Sequence, residues 1–555
     1  MLNRLLLLFT LLLIPVAASA QGVVSSADPR ASEAGRKMLR AGGSAADAAM
    51  AMMLALSVVE PQSSGIGGGG FLLHHDAGQD LIQTIDGRET APAMAGPGRF
   101  VGADGQPMPF MKAFPGGLSV GVPGNIALAA RAHERWGKLK WARLFAPAIR
   151  LADKGFVVND TLAGRLGAVA RLWGDFPQAR AIYWRDGAPA KAGSLIRNPA
   201  MAKTLRAIAR RGPGAFYTGA VGQQISQAVA AAPLNPTGLT LADLSAYRAK
   251  DRPAVCSKYR TFKVCGMGPP SSGATTVLQM LGMIERFDVK GMGARDARSW
   301  HVIAEAMKLA YADREKYLGD ADFVSVPVAG LIDPAYLKAR SATISLTRPL
   351  GTYTAGDPPG AQPRTAALSG EVAGTTHFVA VDKDGNVANM TSTIEGIFGS
   401  QLIAGGFFLN NELTDFTFAP EKDGAPVANR VEAGKRPLSS MSPTIVYDES
   451  GKPVFAVGSA GGKRIIMHVM KALVGYMDFG LSAQDAVALP NIYFSGDSTL
   501  IEQGTFLAAM MPELSRIDGL VVASDLGSKL NAAERTPSGW RGAADPRSEG
   551  VALAQ

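Results

Sequence analysis

Two helical patterns follow the first segment of the chain. Apolar residues recur at helical spacing over 31–40 and again from 45 to about 59. Ser44 and Asp47 resemble a helix start in which Asp replaces the usual Glu or Gln of a capping box. Pro61 would end the second helix, because proline cannot continue the hydrogen-bond ladder. The chain before residue 61 is therefore predicted to form two helices.

Segments with the composition of strands occur in two parts of the chain. The first pair lies at 71–76 and 81–89. The second group dominates from residue 375 onward, and a helix at about 462–478 follows it: 375–382, 387–394, 403–410, 444–448 and 453–458. Between the two groups, 141–350 alternates helices with loops rich in Pro and Gly. This order predicts an α+β fold of layered helices and sheets rather than a doubly wound parallel sheet.

The first twenty residues have the composition of an export signal. Arg4 precedes an apolar run at 5–16, and Ala18-Ser19-Ala20 forms a small-residue cleavage site. The run is too short to span a bilayer comfortably, and no later segment has a membrane-spanning pattern. The sequence predicts a signal peptide at 1–20 and an exported protein without a membrane anchor, periplasmic or secreted.

Cys256 and Cys265 are the only cysteines of the chain. An oxidising compartment permits a disulfide, and a hairpin that turns at Arg260-Thr261 would place the two cysteines opposite each other. Arg-Thr is a poor two-residue turn, which leaves the register of the hairpin open. We predict a bridge between the two cysteines.

The distribution of charged residues and of histidines argues against two classes of ligand, nucleic acids and metal ions. The net charge is +9, yet the basic residues are dispersed, and the densest group, 203–211, is predicted to be the solvated face of one helix. The sequence has no basic stripe with interleaved aromatic residues, so we expect no nucleic-acid partner. The six histidines show no metal-ligand spacing, so no metal site is predicted.

Two glycine motifs match known signatures in the wrong structural context. Gly65 to Gly70 has the spacing of a dinucleotide-binding fingerprint, but it follows a helix and opens a strand, whereas that site follows a strand and opens a helix. Gly117 to Gly121 matches a nucleophile elbow around Ser119, but prolines flank it on both sides. We interpret the first motif as a turn where backbones pass closely and the second as a short strand before a turn.

The strand that begins at Thr375 offers a nucleophile. If the chain cleaves itself after Gly374, Thr375 gains a free α-amino group beside its hydroxyl and holds both a nucleophile and a base. An α-amino group has a pKa of about 7.7–8.0 and accepts a proton near neutral pH. The preceding segment, 350–369, is rich in Gly, Pro and Thr and is expected to be exposed and mobile, as suits a processing site. An ordinary strand threonine is the alternative.

The order of several segments along the chain carries a family resemblance. The segments are 65–71, 86–92, 121–124, 269–273, 301–314, 375–377, 410–416, 435–443, 458–462 and 545–547. Together they resemble the γ-glutamyltransferase (γ-glutamyl transpeptidase) family of N-terminal nucleophile hydrolases. The resemblance implies a four-layer αββα sandwich, made as a precursor that cleaves itself into a large subunit, 21–374, and a small subunit, 375–555. The two subunits would form one unit.

The resemblance implies a catalytic set around Thr375. This residue would attack the Gly374 carbonyl during processing and the γ-amide of the substrate during turnover. Thr393 matches the threonine whose hydroxyl supports the nucleophile from the adjacent strand, with a plain strand residue as the alternative. Gly461 and Gly462 match the glycine pair whose backbone N–H groups bind the developing oxyanion, with a simple turn as the alternative.

The resemblance also implies a site for the zwitterionic end of a glutamyl group. Arg88 matches the arginine that binds the α-carboxylate, and Ser439 and Ser440 would add hydroxyl donors. Glu412 and Asp415 match the acidic pair that binds the α-ammonium. Cation and carboxylates would thus lie at opposite ends of the bound amino acid, and polar solvated loops are the alternative.

Glu395 departs from the commonest family pattern, which has asparagine at this position. Some bacterial members carry glutamate there. In this chain Glu395 would add a third carboxylate at the ammonium end of the site.

These matches imply an enzyme that forms a γ-glutamyl ester on Thr375 and passes it to water, an amino acid or a peptide. No metal or organic cofactor is implied. The alternatives are a glutaryl- or cephalosporin-type acylase of the same fold, an enzyme that processes poly-γ-glutamate, and an uncleaved amino-acid-binding pseudoenzyme. Glutaryl substrates lack the α-ammonium, so Glu412 and Asp415 argue against the acylase. The intact Gly374-Thr375 pair argues against the pseudoenzyme.

Overall fold

The computed structural model describes residues 22–366 and 374–555. The predicted export signal at 1–20 lies outside the described residues, as do the last residues of the segment 350–369. The described part of that segment has no helix or strand and is mostly exposed or half-buried. Within the described ranges, no helix combines the length and the apolar character needed to cross a membrane.

The two helices predicted near the N-terminus are both present. The helices of six residues or more are α1 (Pro29–Arg40), α2 (Ala45–Val59), α3 (Asn125–Trp136), α4 (Trp141–Lys154), α5 (Asp160–Val169), α6 (Pro177–Tyr183), α7 (Pro199–Arg211), α8 (Ala220–Ala230), α9 (Leu241–Ala246), α10 (Gly273–Ile284), α11 (Ala297–Tyr317), α12 (Pro334–Ser341), α13 (Arg464–Met477), α14 (Ala483–Ala488) and α15 (Met511–Asp518). Ser44 and Asp47 form a capping box at the start of α2, as predicted. Every residue of α2 is buried, because this helix lies inside the molecule.

The strands of three residues or more form two large sheets and one small sheet. They are β1 (Val23–Ser26), β2 (Gly69–Asp76), β3 (Leu81–Gly87), β4 (Lys250–Arg252), β5 (Ala254–Tyr259), β6 (Phe262–Met267), β7 (Thr375–Val381), β8 (Val387–Thr393), β9 (Thr444–Tyr447), β10 (Pro453–Gly458), β11 (Ile492–Phe494), β12 (Thr499–Glu502), β13 (Val521–Ser524), β14 (Asn531–Thr536), β15 (Gly539–Ala544) and β16 (Val551–Ala554). The first large sheet has the order β16-β1-β7-β8-β2-β3-β4, and the second has the order β15-β14-β10-β9-β6-β5. The small sheet contains β11, β12 and β13.

Alternate residues of β7 point into two different hydrophobic cores. Phe378 and Ala380 pack in the core that contains α1 and α2, whereas Val379 and Val381 pack in the core shared with the second sheet. The two-residue period of a strand produces this division. The second core also includes α10 and α13, which cover the second sheet, and α11, which packs on α10. The order helix, sheet, sheet, helix confirms the α+β fold of the αββα type.

Several strand predictions need correction. The strand β3 ends before Arg88 and Glu89, so these two residues leave the sheet. The predicted strand 403–410 is a hairpin of the short strands Ile403–Ala404 and Phe407–Phe408, with two glycines at positive φ between them. The sequence analysis identified neither β1 nor the three strands at the C-terminus. These four strands owe their place to pairing across the whole chain, since β1 lies between β7 and β16.

The cysteine hairpin has the register that a bridge requires. Cys256 and Cys265 lie opposite each other in β5 and β6 and form a disulfide, which confirms the predicted bridge. Arg260 in the turn has a φ of 54°, a conformation that non-glycine residues seldom adopt. Its backbone N–H donates to Glu285 at 2.9 Å and its Nε donates to Asp478 at 3.1 Å. These contacts stabilise a turn that the local sequence disfavours.

Both glycine motifs have structural roles. A Cβ on Gly68 would lie 2.0 Å from Thr393 O, so the run 65–70 lets two backbones pass closely and then opens β2, as predicted. Ser119 lies in a short 3-10 helix and not in the predicted strand, because the segment closes a local hydrogen bond from Val120 N–H to Gly117 O. The Ser119 hydroxyl is buried and donates to a backbone carbonyl at 2.5 Å.

Candidate active site

Thr375 opens β7 directly opposite Thr393 in β8. Thr375 Oγ1 donates to Thr393 Oγ1 at 3.2 Å, and Thr393 Oγ1 donates to the carbonyl oxygen of Gly374 at 2.9 Å. The backbone N–H of Glu395 donates to the same Thr393 hydroxyl at 2.8 Å. The Thr393 hydroxyl is thus fixed between the predicted nucleophile and the carbonyl that it would attack, and it polarises that carbonyl.

Gly374 occupies a position where no side chain fits. A Cβ on this residue would lie 2.3 Å from Glu395 O and 2.8 Å from Gly396 O. Both distances are shorter than real Cβ contacts, so any larger residue would push the backbone away from the segment after β8. Glycine therefore holds the Gly374 carbonyl within hydrogen-bond reach of Thr393.

A small cavity of about 20 Å³ opens beside Thr375. The predicted residues on its wall are Thr375, Thr393, Gly462, Arg88, Glu395, Glu412, Asp415, Ser439 and Ser440. Gly461 lines a larger neighbouring cavity that also reaches Thr375. Met441 and Ile465 add apolar wall that the sequence analysis missed. The fold therefore brings the sequence-predicted residues together around Thr375.

Arg88 is almost completely buried, with 1% of its surface exposed. Its guanidinium donates to Pro437 O at 3.1 Å and to Leu438 O at 2.9 Å, which fixes its plane. It also pairs with Glu412 and with Asp415, the latter at 2.5 Å. The two carboxylates therefore contact the cation directly and do not lie at a separate end of the site, as the resemblance implied. Pairing of this kind lowers the free-energy cost of burying the three charged groups. A bound α-carboxylate would compete with both acids for the Arg88 donors.

Burial controls the protonation of the acidic groups. It raises the pKa of Glu412 well above its ordinary value, although the charge of Arg88 opposes the shift. Burial also raises the pKa of Asp415 to about 6, opposed by Arg88 and reinforced by Glu412. A hydrogen bond from Glu395 favours the ionised form of Asp415. The cluster therefore binds protons at mildly acidic pH.

Glu89 is a further buried carboxyl group in this cluster, and the sequence analysis gave it no role. Its Oε2 lies 4.0 Å from Arg88 Nη1, and its side chain is fully buried. Burial raises the pKa of Glu89 to about 7, with Arg88 opposing the shift. Its position next to Arg88 in the sequence, just past the end of β3, could have identified Glu89 as part of the site.

Arg314 holds the serine pair in place. This buried residue of α11 donates from Nη2 to Ser440 Oγ at 2.8 Å and from Nε to Ser272 Oγ at 2.9 Å. Ser272 Oγ in turn donates to Ser439 O at 2.8 Å. The sequence analysis included Arg314 and Ser272 in segments that carry the family resemblance, but it assigned them no function. Both act as positioning residues for Ser439 and Ser440.

Gly461 and Gly462 form the turn before α13, with φ values of 135° and 60°. Side chains rarely adopt these angles, so the turn requires glycine. His468 packs beneath it, since a Cβ on Gly461 would lie 3.0 Å from His468 Cε1, and Ser459 Oγ lies 3.0 Å from His468 Nδ1. Burial lowers the pKa of His468 to about 3, so the ring is neutral at physiological pH. Sequence reasoning identified neither Ser459 nor His468 as a support.

Unusual backbone angles cluster in the segment after β8. Glu395, Phe398 and Gln401 have φ values of 74°, 61° and 69°. Each such non-glycine conformation costs about 1–3 kcal/mol and persists only where the surroundings fix it. Gln401 is fixed in this way, because Trp173 donates to its Oε1 at 2.7 Å. The segment that carries Glu395 is thus held in one defined conformation beside Thr375.

A cluster of possible metal ligands in the described ranges lies in the second helical layer. It contains His301, Glu305 and Asp518. Lys308 Nζ lies 2.6 Å from Glu305 and 3.7 Å from Asp518, so an ammonium group occupies the place that a cation would take. We therefore interpret the cluster as a buried ion-pair network that joins α11 to α15.

The chain matches the family model described as Gamma-glutamyltranspeptidase over residues 31–555. It is 36% identical over 552 residues to the glutathione hydrolase proenzyme of Escherichia coli (strain K12), covering 96% of this chain and 91% of that protein. It is 33% identical over 548 residues to the Acylase ACY 1 proenzyme of Pseudomonas sp. (strain SE83), covering 97% and 94%. The crystal structure of cephalosporin acylase from Bacillus halodurans superimposes with a TM-score of 0.85 at 26% identity, covering 97% of this chain and 96% of that chain.

The family model spans nearly the whole chain, and the fold and the identities agree with it. The chain therefore belongs to the γ-glutamyltranspeptidase family of N-terminal nucleophile hydrolases and is an enzyme of that family.

Proposed function

We propose that this protein cleaves itself between Gly374 and Thr375 and then transfers γ-glutamyl groups from glutathione and related amides to water, amino acids or peptides. The observation that carries the proposal is the Thr393 hydroxyl between Thr375 Oγ1 and the Gly374 carbonyl. The large product would be 21–374 and the small product 375–555. Both would stay in one sheet, because β7 and β8 of the small product lie between β1 and β2 of the large product.

Processing begins with attack of the Thr375 hydroxyl on the Gly374 carbonyl carbon. The hydroxyl proton moves to the Thr375 nitrogen as the C–N bond breaks, and an ester then joins Gly374 to Thr375 Oγ1. Thr393 donates to the carbonyl oxygen while negative charge develops on it. Water hydrolyses the ester and releases the Gly374 carboxylate, which leaves Thr375 with a free α-amino group.

Turnover uses the same hydroxyl with the new amino group as its base. The amino group takes the Thr375 proton as Oγ1 attacks the γ-carbonyl carbon of the donor, and it returns that proton to the leaving amine. Backbone N–H groups of Gly461 and Gly462 bind the oxyanion in this proposal. Their position at the start of α13 supports it, because N–H groups at a helix N-terminus favour negative charge. Water or an acceptor amine then attacks the ester and restores Thr375.

The residues around the small cavity suit the chemistry of the amino-acid end of the donor. Arg88 can bind a carboxylate in two-point contact, with the Ser439 and Ser440 hydroxyls on the same wall. Glu412 and Asp415 supply acceptors for an α-ammonium group. The buried acidic cluster supports a zwitterionic substrate over a simple dicarboxylic acyl group.

The first test is the intact mass of the purified, reduced and denatured protein. We expect two chains, of which one begins at Thr375, and a Thr375→Ala variant that remains one chain without activity. Thr376→Ala is the matched control, because this threonine is its neighbour on β7, and we expect it to be processed. Cleavage of Thr375→Ala between residues 374 and 375 would refute the proposal.

A second candidate function is that of a glutaryl- or cephalosporin-type acylase. The similarity to Acylase ACY 1 and to the Bacillus halodurans structure favours it. Matched γ-glutamyl and glutaryl anilides differ only in the α-ammonium group and separate the two functions. We expect the γ-glutamyl anilide to have the higher kcat/KM, since Glu412 and Asp415 face the substrate cavity. A preference for the glutaryl anilide would assign the acylase function.

We also propose that the protein is exported, to the periplasm or outside the cell, and loses residues 1–20. The bridge between Cys256 and Cys265 supports this location, because structural disulfides persist in oxidising compartments. The N-terminal sequence of the large product and cell fractionation test the proposal. A large product that retains residues 1–20 would refute it.

A further inference from the structure

Thr375 lies between two cavities of different size and character. The small one, about 20 Å³, lies at the proposed glutamyl site. The other, about 390 Å³, also reaches Thr375 and is lined by Gly374 and Gly461. If the glutamyl group fills the small cavity, the group that leaves and the acceptor that arrives have room only where more space adjoins Thr375. The large cavity supplies that space.

A fixed cation lies on the wall of the large cavity. Lys529 Nζ bonds to the Glu60 carboxylate and to Ser63 Oγ, the latter at 3.2 Å. An ammonium group has three N–H donors, and these two acceptors are its partners among the described residues, so one donor is left over. The Lys529 side chain is 20% exposed, so that donor can reach the cavity.

The cation is anchored close to the catalytic strands. Ser63 O accepts a hydrogen bond from the N–H of Ile394 at 3.3 Å, directly after Thr393. Glu60 is 5% exposed and ends α2, so it holds Lys529 from a rigid, buried element. The Lys529–Glu60 pair is mostly buried, with 20% and 7% of the two side chains exposed, so it is not an ordinary surface ion pair. Because the pair lies on the cavity wall, Lys529 can also contact a ligand in the cavity.

Two other charged groups on the same wall have partners of their own. Arg547 Nε lies 2.6 Å from Glu502, and its Nη1 lies 3.0 Å from Asp545. Glu549 accepts a hydrogen bond from Asn159. Arg165 and Arg464 also line this wall, and neither forms an ion pair among the described residues. Lys529 differs from them because its bonds to Glu60 and Ser63 fix its ammonium group in place.

We propose that Lys529 binds the free carboxylate of the second ligand, which is the leaving peptide of the donor or the incoming amino acid or short peptide. Glu60 and Ser63 orient the ammonium group. The inference rests on the proposed γ-glutamyl transfer and adds a specificity residue for the ligand on the other side of Thr375. It predicts a preference for ligands with a C-terminal carboxylate over neutral ones.

Two matched pairs of ligands test this site. Glycylglycine and glycylglycinamide are acceptors that differ only in the carboxylate. Glutathione and γ-glutamyl-p-nitroanilide are donors whose leaving groups do and do not carry one. We expect the native enzyme to have an acceptor KM at least about tenfold lower for glycylglycine than for its amide, because a hydrogen bond between charged groups is stronger than one to a neutral amide.

Substitutions then assign the preference to Lys529. Lys529→Ala should reduce the acceptor preference to below threefold and lower the ratio of kcat/KM for glutathione to that for the anilide by about tenfold. Lys529→Arg should keep most of both. Lys203→Ala, an exposed lysine on α7, is the control and should change neither.

The outcomes separate this inference from the proposed function. An enzyme that turns over γ-glutamyl-p-nitroanilide but does not distinguish glycylglycine from its amide overturns the inference alone. Retention of the preference by Lys529→Ala overturns it as well. An enzyme without γ-glutamyl transfer or hydrolysis overturns both. If Lys529→Ala does not fold, the native comparison and Lys529→Arg still decide the outcome.

Discussion

Replacement of Thr393 by valine removes one hydroxyl group and keeps the shape of the side chain. In the structure this hydroxyl donates to the Gly374 carbonyl oxygen at 2.9 Å, and it accepts from Thr375 Oγ1 at 3.2 Å. If the polarised carbonyl is the one that Thr375 attacks, Thr393→Val should slow self-cleavage. The protein should then accumulate as one chain.

The size of the effect follows from the role of the hydrogen bond. Removal of one donor to a developing oxyanion costs about 2.7–4 kcal/mol, or about 10²–10³-fold in rate. The half-time of cleavage should lengthen by that factor. The same change leaves the Glu395 N–H without the acceptor that it has at 2.8 Å, which costs about 1–3 kcal/mol in the free energy of unfolding. Denaturant unfolding therefore has to be measured beside cleavage.

A time course of the purified chain by denaturing electrophoresis and intact mass gives the cleavage rate. Thr393→Ser is the matched control, because it restores the hydroxyl and should cleave within about tenfold of the native rate. A Thr393→Val protein that cleaves as fast as the native chain would refute the assigned role. Slow cleavage in both variants would instead indicate that packing of the methyl group matters more than the hydrogen bond.

Three further predictions concern the binding site and the hairpin. The pKa of Asp415 is raised to about 6, so this acid loses its charge as the pH falls through 6. The KM of a γ-glutamyl donor should therefore rise as the pH falls through this value, and a KM that stays constant between pH 5 and 8 would contradict the prediction. Glu395→Gln should raise KM with little change in kcat, and an unchanged KM would remove Glu395 from the site. Replacement of Cys256 and Cys265 by serine should lower the free energy of unfolding by about 2–3 kcal/mol, because the bridge closes a loop with a sequence separation of 9. A native protein with two free thiols before reduction would contradict the premise that the bridge forms.

Local pattern was sufficient to predict the strands that carry the nucleophile. Both segments have the composition of short buried strands, and the turn between them, 382–386, contains Asp, Gly and Asn. A short turn fixes the register of a hairpin, and that register places Thr375 opposite Thr393. The capping box at Ser44 and the bridge between the cysteines were predictable for the same reason. In each case the determining residues lie close together in sequence.

Contacts between distant segments were beyond such reasoning. Arg88 and Glu412 are 324 residues apart, and the periodicity of either segment says nothing about the other. The resemblance supplied their roles, but it placed the carboxylates away from the cation, and it gave Glu89 no part. The strand β16 was missed because pairing with β1 at the opposite end of the chain defines it. Long-range pairing therefore set the limit of the sequence analysis.

Charge balance predicts that the acidic cluster favours a zwitterion. One guanidinium, that of Arg88, lies among the buried carboxyl groups of Glu89, Glu412, Asp415 and Glu395. Excess negative charge is costly where water is excluded, and the raised pKa values of Glu89, Glu412 and Asp415 mean that protons reduce it. An arriving α-ammonium brings a positive charge that can replace such a proton, whereas a glutaryl group brings only another carboxylate. We therefore expect the cluster to discriminate by charge at the one position where γ-glutamyl and glutaryl substrates differ.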